Sequence, residues 1–131
     1  MKHISIILLS ILTISFQACK KDTDPIAEIN NKLSSGNTKI WKLNKLFING
    51  SQQTLTPGQL AFSKTYNKSG NWSDSDGYSG TFKVETIKLL KETTTVGGTS
   101  TISYKINSIT DNQLDVEYTF GQETYRFVYA Q

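Results

Sequence analysis

The side chains best suited to nucleophilic and metal chemistry are scarce in this chain, and they sit at its start. Its 131 residues include one histidine, His3, and one cysteine, Cys19. A short positive start, Met1-Lys2-His3, leads into Ile4 to Ile14, apolar but for Ser5, Ser10 and Thr13, and the small residue Ala18 stands directly before Cys19. That is the layout of a secretory signal, with an apolar run too short to stay in a bilayer as a spanning helix. A cut before Cys19 removes the histidine. Structural zinc, haem ligation by histidine, a Cys or Ser nucleophile with a histidine base, and intradomain disulfides would then all lack a required residue. Carboxylates, Lys, Tyr, Ser and Thr remain. Two acids suffice for glycoside hydrolysis, but no spacing singles out such a pair, so the expectation is no catalytic residue, no cofactor and no metal. Asp74-Ser75-Asp76-Gly77 has part of a calcium loop's pattern. Trp72 stands where the first ligand belongs and Lys83 where the closing Glu belongs, so the segment reads as a solvated turn.

Ser15-Phe16-Gln17-Ala18-Cys19 resembles a bacterial lipobox. Ala18 matches the Gly or Ala before the cysteine, while Phe16 and Gln17 depart from the usual Leu and Ser or Ala. The resemblance implies a signal peptide over 1–18 and lipidation of Cys19. Acyl chains there would hold the protein on the membrane, each buried methylene adding about 0.8 kcal/mol. Residues 19–24 become a polar tether, and the expected location is the cell envelope, anchored to the outer membrane. Lys20-Lys21-Asp22 partly resembles the tract that sends some lipoproteins to the cell surface, and the side of the membrane stays open. Without Lys2, 13 basic side chains face 11 acidic ones, a formal balance of +2. Nucleic-acid binding shows as a concentrated basic face and is not expected. The length suits one domain with a sizeable core.

The elements that must position any site follow from the periodicity. Asp24-Pro25 reads as N-cap and N1 of a short helix over 25–36, with Ile26, Ile29 and Leu33 as its buried stripe and Gly36 as its stop. From Lys39 the pattern alternates. Strands are expected at 39–49, 59–66, 70–74, 79–84, 86–95, 99–109, 113–120 and 123–130, with no helix between them, so the class is all-β. Gly121-Gln122 predicts a two-residue type II′ hairpin that sets Tyr118 opposite Tyr125, Val116 opposite Phe127, Leu114 opposite Tyr129 and Glu117 beside Arg126. Gly97-Gly98 predicts a type I′ turn pairing Leu89 with Ile106 and Thr93 with Ile102, and Asn49-Gly50 is a further turn signal. Thr56-Pro57-Gly58-Gln59 reads as a type II turn, with 51–58 as a surface loop or short edge segment. Eight sequential strands make an antiparallel meander that closes into a barrel, with a two-layer sandwich as the alternative.

Trp41, Leu60-Ala61-Phe62, Tyr66 to Trp72, Gly80 to Val84, Ile87-Lys88-Leu89 and Tyr104 to Leu114 together resemble the lipocalin-like domain of bacterial envelope lipoproteins, over about residues 39–130. Lipocalins carry a glycine two residues before that tryptophan, where this chain has Lys39. They also stack a late basic residue on it, whereas Arg126 is turned outward by the hairpin register. Trp41, Leu43, Phe62, Phe82, Val84, Leu89, Ile102, Tyr104, Ile106, Val116, Tyr118, Tyr125 and Phe127 are expected to point inward. A barrel of this size is filled by side chains or holds one small ligand. The resemblance implies a small apolar or amphipathic ligand, with Trp41, Phe62, Phe82, Tyr104, Tyr118, Tyr125 and Phe127 as candidate contacts. The alternative is an accessory lipoprotein with a filled barrel that contacts other envelope proteins.

Overall fold

A computed structural model describes residues 23–131. The signal peptide read over 1–18, Cys19 and the tether as far as Asp22 lie outside the described residues. The helix, α1 (Pro25–Ser34), starts where its capping residues place it. The Asp24 carboxylate accepts from the Ile26 N–H at 2.9 Å, and Pro25 occupies N1, where a missing N–H costs nothing. Ser35 and Gly36, both left-handed at φ 50° and 71°, end it.

Nine strands follow: β1 (Thr38–Ile48), β2 (Ser51–Gln53), β3 (Ser63–Asn67), β4 (Asn71–Asp74), β5 (Ser79–Thr86), β6 (Leu89–Thr94), β7 (Ser100–Ile109), β8 (Gln113–Phe120) and β9 (Glu123–Ala130). β1 and β3 to β9 form an antiparallel meander, and β9 returns to pair with β1. The result is a closed eight-stranded barrel rather than a sandwich. Closure pairs the strand edges that an open sheet would expose. Short β2 adds to the β1 edge just beyond the part that β3 covers.

The final hairpin has the register that its turn requires. Phe120 pairs with Glu123, Tyr118 with Tyr125, Val116 with Phe127 and Leu114 with Tyr129. Gly121 alone of the two turn residues takes a positive φ, 63°, as a glycine-first turn demands. Glu117 does lie opposite Arg126. The guanidinium, however, grips Asp115 with two bonds of 2.9 and 2.5 Å, and Glu117 accepts from Lys105 at 2.8 Å instead. A diagonal partner on the same outer face therefore wins over the direct one.

Two local expectations are corrected. The β6–β7 connection spans 95–99 and pairs Thr94 with Ser100, so Leu90 faces Tyr104 and Glu92 faces Ile102. This is a one-residue slip from the expected pairing, and such a slip exchanges the two faces of a strand. Leu89 leaves the core, and Leu90 and Glu92 enter it. Thr56-Pro57-Gly58-Gln59 is not a type II turn but the start of a helix, α2 (Pro57–Ala61). Its capping box has the Thr56 hydroxyl accepting from Gln59 N–H and the Gln59 amide oxygen accepting from Thr56 N–H. The strand expected from residue 59 consequently starts at Ser63. Gly80 on β5 is fixed by a close approach, since a Cβ there would meet the Thr93 carbonyl oxygen at 1.9 Å.

The core fills the end of the barrel where the chain first enters. α1 lies across that opening and drives Ile29 and Leu33 into a cluster with Trp41, Tyr66, Leu90, Ile106 and Leu114. Each such side chain contributes about 1.5–3 kcal/mol by leaving water. Trp41 is fully buried and donates its indole N–H to the Leu33 carbonyl at 2.9 Å. Lys39 runs over the same indole, its Nζ 4.2 Å from the ring centroid, and donates to the carbonyls of Lys32 at 3.2 Å and of Asp111. The cation on the tryptophan thus comes from two residues upstream on the same strand, and it ties the C-terminus of α1 to the β7–β8 loop.

Candidate ligand cavity

At the opposite end the barrel is open. The rim consists of α2 and the β4–β5, β6–β7 and β8–β9 connections, and a cavity of about 330 Å³ descends from it. Its walls are mostly rings: Phe62, Trp72, Tyr78, Tyr104, Tyr118, Phe127 and Tyr129. Tyr118 stacks on Phe127 at 6.0 Å and meets Tyr104 edge to face at 5.5 Å. Phe127 in turn stacks on Tyr129 at 6.1 Å. Alternation explains the arrangement, because positions 118 on β8 and 127 and 129 on β9 share the inward face.

Four of the seven candidate contacts line this cavity: Phe62, Tyr104, Tyr118 and Phe127. The other three are placed elsewhere. Trp41 belongs to the plugged end under α1. Phe82 packs edge to face on Tyr66 at 5.1 Å and borders a separate surface groove beside α1. Tyr125 stacks behind Tyr118 at 5.4 Å, and its hydroxyl donates to Glu123.

The charged groups of the cavity are ones that sequence periodicity missed. Lys64 and Glu92 form an ion pair inside the barrel, each almost wholly removed from water. Glu92 also accepts from the Tyr66 hydroxyl, so both its oxygens are engaged. The Lys64 ammonium has the Tyr104 hydroxyl at 3.4 Å, the Trp72 ring at 4.6 Å and the Tyr104 ring at 5.0 Å. A buried pair is retained without large cost only when its remaining donors and acceptors are met, as here. Asp74 stands opposite Lys64 in the backbone register of β3 and β4 and also lines the cavity. Its Oδ1 accepts from the N–H groups of Asp76 and Tyr78 at 3.0 and 2.9 Å, which builds the turn. The segment read as a solvated turn thus contributes a cavity wall as well.

Burial first, then the field of Glu92, pushes the Tyr104 and Tyr129 hydroxyls far above the ordinary tyrosine range. Asp74 adds to the shift of both. These hydroxyls stay protonated and can each donate one hydrogen bond. Those of Tyr118 and Tyr129 make none among the described residues, and the buried Trp72 indole N–H has no partner among them either. The cavity therefore offers apolar ring faces, uncommitted hydroxyls and carboxylate charge, which suits noncovalent capture of a small molecule. Among the described residues no three His, Cys, Asp or Glu side chains converge as a metal site would need. Comparison with protein-family models, with curated proteins and with solved structures found no match.

Proposed function

We propose that this protein is a lipid-anchored envelope lipoprotein whose lipocalin-like barrel binds a small amphipathic molecule. It acts by binding and not by catalysis. The observation that carries this reading is the 330 Å³ cavity, ring-walled, open at one end and holding an ion pair at its side. A barrel serving only as a scaffold gains nothing from such a space, since unfilled volume costs packing energy. The cavity thus favours the binder over the accessory protein with a filled barrel. The location rests on Ala18-Cys19 after an apolar run, and the barrel can stand off the membrane on the tether over 19–24.

Native mass spectrometry of the protein released from its membrane fraction tests the binding role. A co-purifying small molecule is expected, lost on Tyr118→Ala. An unliganded mass together with no measurable uptake of amphipathic probes would sink the reading. For the anchor, Cys19→Ala should move the protein from the membrane to the soluble fraction, and unchanged pelleting would refute lipidation at that residue.

A further inference from the structure

The charge balance inside the cavity says which amphipathic molecule fits. Three acidic or basic side chains line it: Lys64, Glu92 and Asp74. The first two are spent on each other, with Tyr66, Tyr104 and the Trp72 ring completing their shells. Asp74 is different. One of its oxygens holds the turn through two backbone N–H groups, and the other makes no hydrogen bond among the described residues. The cavity thus presents one formal negative charge that no side chain neutralises at ion-pair distance, surrounded by rings whose faces are themselves electron-rich. Aromatic faces and a carboxylate both attract an organic ammonium group and both repel a carboxylate or phosphate. The influence of Asp74 on the Tyr104 and Tyr129 hydroxyls places its field inside the same space.

Building on the binding role proposed above, we infer that the ligand is a cationic amphiphile: a compact aromatic or aliphatic body bearing an ammonium group that meets the Asp74 carboxylate. The body fills the space between Phe62, Tyr118 and Phe127, and the uncommitted hydroxyls of Tyr118 and Tyr129 accept the remaining ammonium protons. Lys64 excludes a second cation from the depth of the cavity and so sets which end of the ligand goes in first. The apolar end enters, and the amine stays near the rim beside Tyr78.

The test uses the full chain in nanodiscs of zwitterionic phospholipid, with empty nanodiscs as the reference. Three probes share one indole body: tryptamine, tryptophol and indoleacetate. Calorimetric titration should show tryptamine binding about tenfold or more tighter than tryptophol, with indoleacetate weakest. Asp74→Asn keeps the amide oxygen that the Asp76 and Tyr78 N–H groups need, so the turn survives. In that variant tryptamine should fall to the level of tryptophol, while tryptophol itself changes by less than about twofold. Equal affinities, or a preference for indoleacetate, would overturn the cationic ligand and leave the binder standing. A tryptamine preference that persists in Asp74→Asn would overturn the assignment to Asp74. If none of the three binds and no molecule co-purifies, the binding role falls as well.

Discussion

The two ends of this barrel are made from the same strands and obey opposite rules. At the plugged end the buried polar atoms have fixed partners: Trp41 donates to Leu33, Lys39 binds two carbonyls, and α1 seals the opening with Ile29 and Leu33. At the open end the rings touch one another and Lys64 is paired with Glu92, but among the described residues the Tyr118 and Tyr129 hydroxyls and one Asp74 oxygen make no hydrogen bond. A buried polar atom without a partner is costly unless something arrives to complete it, and among the described residues the Trp72 indole N–H in the cavity wall is such an atom. The difference assigns stability to one half of the molecule, and under the proposed binding role recognition falls to the other.

The largest effect should come from Trp41→Ala. It removes a side chain with no exposed surface together with its bond to α1. Loss of about 3–5 kcal/mol is expected in urea unfolding, the usual cost of emptying a large buried site. A loss below about 1 kcal/mol would mean that the α1 plug is not part of the core, and the contrast between the ends would break. Next comes Glu92→Leu, which strands the Lys64 ammonium inside the barrel. About 3 kcal/mol should be lost, and the double variant Lys64→Met with Glu92→Leu should recover most of it, because a buried pair replaced whole is far less damaging than one broken. Failure of the double variant to recover would show that the pair stabilises the fold on its own account.

How far these features can be read in the sequence depends on how tightly each turn specifies its register. Gly121-Gln122 leaves no freedom, so the β8–β9 face with Tyr118, Phe127 and Tyr129 follows directly. Gly97-Gly98 is equally conspicuous but sits in a five-residue connection, and both glycines at positive φ (74° and 124°) serve a wider loop than a two-residue turn. The one-residue slip hides Glu92. Lys64 is hidden for another reason: alternation arguments seek apolar residues on the inner face, and a lysine there contradicts the pattern unless its partner is already known. Lys39 was equally illegible, since its role depends on carbonyls at Lys32 and Asp111 that only the folded chain brings together. The Thr56-x-x-Gln59 capping box was readable in principle, but Pro-Gly also matches a turn, and only the tertiary setting chooses between them.

Lys39 gives the comparison a pH readout. Burial, opposed by the charge of Asp111, lowers its pKa from the ordinary 10.5. The unfolded chain then holds the proton more tightly than the folded one, so stability rises with pH between the lowered value and 10.5. Lys39→Met should cost about 1–2 kcal/mol at neutral pH through the two orphaned carbonyls. The deficit relative to the native chain should widen as pH climbs toward 10.5, because only the native chain gains from deprotonation. A deficit that narrows over that range would show the ammonium to be favoured by its surroundings.

The smallest effect is expected at the rim. Of the six large apolar residues exposed among the described residues, Leu60, Tyr78, Val96 and Phe120 stand at the open end, with Phe120 the most exposed at 75%. An apolar side chain left in water contributes nothing to folding, so Phe120→Ser and Leu60→Ser should each shift unfolding by no more than about 0.5 kcal/mol. The same substitutions touch the approach to the cavity, and uptake of an amphipathic probe should slow while its final affinity changes little. A loss of stability beyond about 1.5 kcal/mol would mean that the rim is packed in solution. The open end would then be a second core, and stability and recognition would not be divided between the two ends of the barrel.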